Sequence, residues 1–286
     1  MVTWLVDGNA LAGAINVSVG GASVAVEHRL LRGSTWRPPV SARNAVVEVP
    51  GRHGSVVSGM ASFEPPTVTL VGSLSAPSEH ALEAALARLQ GLLSRPAGVT
   101  LTRTSGLVTA TARARLMSWS QGDAIAKGAA PARSDWTAVL TVPGVFFTEA
   151  PTASPAAPAS GTVAFASLAG SSAPVSPVVR IKGPATAVTV TDPQSGTGWT
   201  WTGSTLDLAT EYLYLYPDFR AHITVSASAW AGASGLHTAG LSYPAAGGLR
   251  VWPRVSGAST VVELDVTVTG GDGNNTITVW AGRSFL

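Results

Sequence analysis

The chain has 286 residues, with 18 basic and 16 acidic side chains and no cysteine, which excludes a disulfide framework, a thiolate zinc site and a thiol nucleophile. Charged residues make up 12% of it, about half the ~25% usual in soluble proteins, and Gly, Pro, Ala, Ser and Thr fill the gap. No stretch reaches the ~18 uninterrupted apolar residues of a membrane span, and a net charge of +2 excludes the strongly basic surface of a dedicated nucleic-acid binder.

In chain order, the opening residues 1–7 lack a basic n-region and carry Asp7 early, so no secretory signal is expected. The first half reads as strands around one helix. A long loop is expected over 31–44, then a strand at 46–49. The turn Pro50-Gly51-Arg52-His53-Gly54 follows, and it reads equally as an interface hairpin tip and as a plain turn. A strand at 67–71 precedes a helix over 78–93. Leu82, Leu86, Leu89 and Leu93 form one apolar stripe on that helix, Ser78 is its N-cap, and Pro96 and Gly98 stop it. Val108, Ala110, Ala112, Ala114 and Leu116 alternate with Thr109, Thr111, Arg113 and Arg115, as in a strand with one buried face. Trp136, Ala138, Leu140 and Val142 alternate in the same way. A second long loop is expected over 118–134.

Five prolines among Ala, Ser and Gly mark 150–177 as an extended, weakly packed linker, with room for one short strand at 161–166. Beyond it, short strands are expected at 178–182, 187–191, 198–202, 212–216, 222–229, 249–253, 260–269 and 276–280, with Gly/Asn/Asp turns between them. That spacing indicates a β-sandwich. Trp199 and Trp201 share a strand face and read as core before platform. Tyr212, Tyr214 and Tyr216 share another face, opposite Leu213 and Leu215. They read equally as a protein-docking face and as a cover over one end of the sandwich.

Catalytic signals are lacking. The five histidines have no metal-ligand spacing, and no P-loop, nucleophile elbow or dinucleotide fingerprint is present. Glu263 and Asp265 share the outward face of a strand and read as solvated acids rather than a catalytic pair. Asp272-Gly273-Asn274-Asn275 reads as a tight turn rather than a calcium loop. No enzyme, cofactor or metal is expected.

The order of features carries a resemblance. Leu5-Val6-Asp7-Gly8 opens the chain, and Val49-Pro50-Gly51-Arg52-His53-Gly54 follows. Next come the strand from Val68 to Leu74, the helix from Ser78 and the Pro/Ala/Ser segment. Then comes Ser176-Pro177-Val178-Val179-Arg180-Ile181-Lys182-Gly183-Pro184, and near the end Asn274-Asn275-Thr276-Ile277-Thr278-Val279-Trp280. This resembles the distal tail protein family, also called minor tail proteins, of long non-contractile-tailed bacteriophages. The resemblance implies a mainly β fold with one helix. It places a split-barrel-like domain related to tail-tube proteins at 1–149, a linker at 150–177 and a galectin-like β-sandwich at 178–286.

It also implies a structural virion protein of the tail tip, assembled in the host cytoplasm. The implied assembly is a homohexameric ring joining the tail tube protein to the tip hub protein, with receptor-binding proteins as further partners. No membrane is involved, and DNA meets the ring only in passage through its channel. The interface residues expected on this basis are Trp36, Arg37 and Arg43 in the first loop, Arg52 and His53 at the turn, and Lys127 and Arg133 in the second loop. Partner docking is expected at Tyr212, Tyr214 and Tyr216. The alternatives are a carbohydrate-binding β-sandwich that contacts the host surface and, less favoured, a secreted glycan-cleaving enzyme.

Overall fold

The computed structural model describes residues 2–35, 38–48, 55–123, 131–206, 210–228, 230 and 238–285. For 2, 42–48, 55–62 and 204–206 it describes the backbone alone. The protein is mainly β with one helix, and it divides into two compact units, the first running up to Phe147 and the second covering Thr148–Phe285.

The first unit is a nearly closed, barrel-like antiparallel sheet. From one side to the other its strands are Asn9–Ala10, Val2–Val6, Val99–Ser105, Val108–Gln121, Ala132–Thr141, Thr67–Ala76, Ala22–Leu30 and Gly13–Val19. The helix Glu79–Leu93 packs against Gly13–Val19, Thr67–Ala76 and Ala132–Thr141. It buries Leu82, Leu86, Leu89 and Leu93 as the apolar period requires, together with Ala81 and Ala85. Ser78 caps it, its Oγ accepting from Ala81 N at 3.3 Å. Downstream, Gly98 sits at φ +75°, and a Cβ there would lie 2.5 Å from Ala114 O, so only glycine makes this turn.

Both expected long loops are shorter than their sequence indicated. Residues 42–44 belong to the strand Ala42–Glu48, which pairs with Ser55–Phe63 to form a two-stranded arm. Residues 118–121 and 132–134 lie in the hairpin of Val108–Gln121 with Ala132–Thr141. The reason is a β-bulge at Met117. Leu140 faces Leu116 and Val139 faces Ser118, so the side-chain alternation flips at that point. Trp119, not Ser118, therefore turns inward and stacks on Trp136 at 5.5 Å, while the bulged Met117 is exposed.

The second unit is a sandwich of two antiparallel sheets. One runs Thr152–Ala153, Thr276–Ala281, Val178–Lys182, Tyr212–Tyr216, Arg220–Thr224, with Ala157–Pro158 also on Thr276–Ala281. The other runs Gly161–Ala164, Glu263–Thr269, Ala185–Thr191, Gly198–Leu206, Leu241–Ser242. Between them lie Trp199, Trp201, Ile181, Leu213, Leu215, Val190, Leu264 and Ile277, all buried. The two tryptophans are core, as their alternation indicated. The strands expected at 222–229 and 249–253 are corrected to Arg220–Thr224 and to a single bridge, Val175 with Val251.

The reading of 150–177 as a weakly packed linker is also corrected. Three short strands in it pair with the sandwich, one of them, Gly161–Ala164, within the expected 161–166, and Val163, Phe165, Leu168 and Val175 are buried in the sandwich core. The proline and small-residue count concealed four well-spaced apolar anchors, each contributing about 1.5–3 kcal/mol on full burial.

Candidate functional site

Most of the side chains expected at a subunit interface lie outside the described residues: Trp36, Arg37, Arg52, His53 and Lys127. Arg43 is described through its backbone alone, paired with Ser62 in the arm. Arg133 faces solvent beside Asp135 at 3.7 Å. An exposed pair of this kind contributes little to stability and leaves both charges available. Arg113 is also exposed, but it donates locally to Ala97 O at 2.9 Å.

The sequence reading missed the arm. It had the first strand, while the expected turn at 50–54 lies outside the described residues, and it gave residues 55–63 no structure although they hold Val56 and Val57. Among the described residues the arm's two strands pair only with each other. A two-stranded ribbon is marginal on its own in water and gains from a further surface to pair with.

The tyrosine face is corrected. Leu213 and Leu215 do turn to the core, and the three rings lie on the opposite side of the strand. That side is covered, however: Tyr214 and Tyr216 are buried, and Tyr212 is half-buried. The cover is the segment that leads to Trp230. Tyr214 donates its hydroxyl proton to Ser226 O at 2.7 Å, and its ring meets Trp230 edge-on at 5.5 Å. Trp230 stacks on Trp280 at 6.1 Å. Arg180 lies over both Tyr212 and Trp230, at 5.0 and 4.6 Å from the ring centroids, and donates to Ala227 O. A guanidinium between two rings gains cation–π attraction and holds the segment down. Burial raises the Tyr216 pKa above its ordinary value, Tyr214 adding to the effect.

This geometry predicts that Tyr214→Phe costs about 1 kcal/mol by removing one buried hydrogen bond while keeping the ring. A denaturant titration that matches wild type would show that the hydroxyl does not anchor the segment.

Glu263, Asp265 and Asp272 each have a partner of their own. Glu263 takes a bidentate pair from Arg254, with Nη2 at 2.8 Å from both oxygens. Asp265 accepts from Thr162 Oγ1 at 2.5 Å. Asp272 Oδ1 accepts from Asn274 N at 2.9 Å, closing an Asx turn between Gly270 and Gly273, both at positive φ. Among the described residues no group of three or more His, Asp or Glu could hold a metal ion. His28 and His222 are buried in different units, and His53 and His237 lie outside the described residues.

No family model and no curated protein matches the chain. Solved structures do. The Dit protein (gp 19.1) of phage SPP1, a paradigm of the hub adsorption apparatus in phages that infect Gram-positive bacteria, matches over 100% of both chains with a TM-score of 0.59 at 14% identity. Chains of the phage p2 baseplate in its activated conformation match over 98% of both chains at 10% identity, with TM-scores of 0.36 for the Sr structure and 0.35 for the Ca structure. At such identities the SPP1 likeness establishes a shared fold over the whole chain.

Proposed function

We propose that this chain is a structural protein of a bacteriophage tail tip, a ring-forming adaptor between the tail tube and the tip hub. The observation that carries the reading is the likeness to SPP1 Dit over the full length, with both units included. Three features of the chain support it. Charge is low for the length, as suits surfaces that are covered on assembly. Among the described residues, acids and histidines form no cluster of three or more that could hold a metal ion. The arm of Ala42–Glu48 and Ser55–Phe63 is a two-stranded ribbon, a form that a neighbouring copy could extend by strand pairing.

In this reading the first unit forms the ring, by a heterologous contact in which the arm and the residues around Trp36, Arg43, Arg52 and Arg133 meet a different patch on the next copy. Six copies close it. The second unit carries the receptor-binding apparatus. The ring belongs to the virion and contains no cofactor.

The test is direct. Electron microscopy of the purified protein, alone and mixed with its tube protein, should show closed six-fold rings, and antibody to the chain should label the tail tip of intact particles. Label along the tail shaft or on the head, or a closed assembly with another number of copies, would overturn the assignment.

A further inference from the structure

We propose that a cleft in the sandwich unit, with Trp252, Gln194 and the Arg254–Glu263 pair in its walls, binds a neutral saccharide. The cleft has a volume of about 400 Å³, and Asp192, Pro193 and Thr162 complete its lining. That size lies within the range of small-ligand sites, about 300–1,000 Å³. The inference rests on this cleft and not on the ring.

The cleft is held in shape from below. Val251 is buried in the core and exchanges both backbone hydrogen bonds with Val175, at 2.8 and 2.9 Å, which fixes the position of Trp252 next to it. The opposite wall is the turn 192–197. Its buried Asp192 accepts from Ser195 N at 3.0 Å and from Ser195 Oγ at 2.6 Å. Thr197, fully buried, donates its hydroxyl to Arg250 O at 2.8 Å and accepts from Arg250 N at 3.2 Å. The turn is thereby stapled to the strand-like segment that carries Trp252 and Arg254. A network of buried polar groups joins two chain segments far apart in sequence and sets the distance between the indole and Gln194. Such preorganisation lowers the cost of binding.

The chemistry of the walls selects the ligand. A pyranose has an apolar face of C–H groups and a rim of hydroxyls, each both donor and acceptor. The half-buried indole of Trp252 offers an apolar surface for that face. Glu263 supplies carboxylate lone pairs and Arg254 supplies N–H groups. Arg254 uses Nε and Nη2 on Glu263, and among the described residues its Nη1 donates to nothing. A carboxylate locked to a guanidinium thus presents an acceptor and a donor side by side, the pattern that vicinal hydroxyls match. Gln194 adds an amide, and Thr162, whose hydroxyl proton goes to Asp265, adds an acceptor oxygen. Two carboxylates against one guanidinium leave the lining net negative, which disfavours phosphates and uronic acids.

Saturation-transfer NMR on the full chain tests this with methyl glucoside, methyl galactoside, N-acetylglucosamine and chitotriose as probes, and glucuronate and lysine as controls. At least one neutral probe should receive transfer at about 10 mM, with millimolar affinity or better. Trp252→Ala should weaken it at least about tenfold by removing the stacking surface. Gln194→Ala, at an exposed turn position where folding is not at risk, should weaken it about threefold through one lost hydrogen bond. Absence of transfer to all four probes, binding unchanged in both variants, or tighter binding of glucuronate or lysine than of any neutral probe would each overturn the proposal.

Discussion

Trp136→Ala should destabilise the first unit by about 3–5 kcal/mol, the cost of emptying the site of a large, fully buried aromatic side chain. The indole is 1% exposed and lies across the strand pair of Ala132–Thr141 with Thr67–Ala76, directly opposite Gly72. A Cβ on Gly72 would lie 2.4 Å from its Cζ2, so glycine is what allows the ring to lie flat on the neighbouring backbone. Trp119 stacks on one side, and His28 packs against it at 5.3 Å. Removing the indole therefore strands two further rings as well as leaving a cavity. Denaturant titration measures the loss. Hydrogen exchange in Thr67–Ala76 and Ala132–Thr141 assigns it to this unit rather than to the sandwich. A loss below about 1 kcal/mol would mean that the surroundings collapse into the space, contrary to the close packing described.

The second large effect is acid sensitivity centred on His28. The side chain is 2% exposed, and its Nε2 has no hydrogen-bond partner among the described residues. Burial lowers its pKa from the ordinary 6.5 to about 4. The folded state therefore favours the neutral ring, while the unfolded chain takes up a proton below pH 6.5. Between those two values the unfolded state binds more protons, so stability is fully present above pH 6.5 and falls as the pH drops toward 4. The full difference corresponds to about 3 kcal/mol, reached below pH 4, where both states are protonated. Carboxylates add their own acid sensitivity, so the measurement is the difference between wild type and His28→Leu over this window. Parallel stability curves for the two proteins would remove His28 as the cause.

The fold was legible in the sequence where a local rule decides the structure. The leucine stripe and Ser78 defined the helix, and the alternation from Trp136 to Val142 put those residues in the core. Leu213 and Leu215 gave the inward face of their strand. Interactions between distant residues were hidden. Period two placed three tyrosines on one face, but nothing in 212–216 reveals that Ser226, Ala227 and Trp230 return to cover it, because Tyr214 finds its partner at Ser226. The bulge at Met117 looked like the end of a strand because it breaks alternation without breaking pairing. Candidate interface residues were read from loops, and a loop reports exposure without identifying what meets it. The cleft at Trp252 escaped notice for a similar reason. Its walls come from 162, 192–194, 252–254 and 263, and only the sandwich topology brings them together.

The segment from 152 to 164 has a protective role. Thr152–Ala153 and Ala157–Pro158 lie along the outer side of Thr276–Ala281 in one sheet, and Gly161–Ala164 lies along the outer side of Glu263–Thr269 in the other. A single short stretch thus crosses from sheet to sheet and seals an open margin of each. Its strands are only two to four residues long, and Pro155 and Pro158 have no N–H to offer, so the new outer side it presents is a poor template for further pairing. The strands beneath it, Thr-Ile-Thr-Val-Trp-Ala and Glu-Leu-Asp-Val-Thr-Val-Thr, are rich in the β-branched residues that pair readily. A sandwich cut at residue 178 would carry both margins bare, and the product would be a chain that adheres to copies of itself. The transplantable module begins at Thr148.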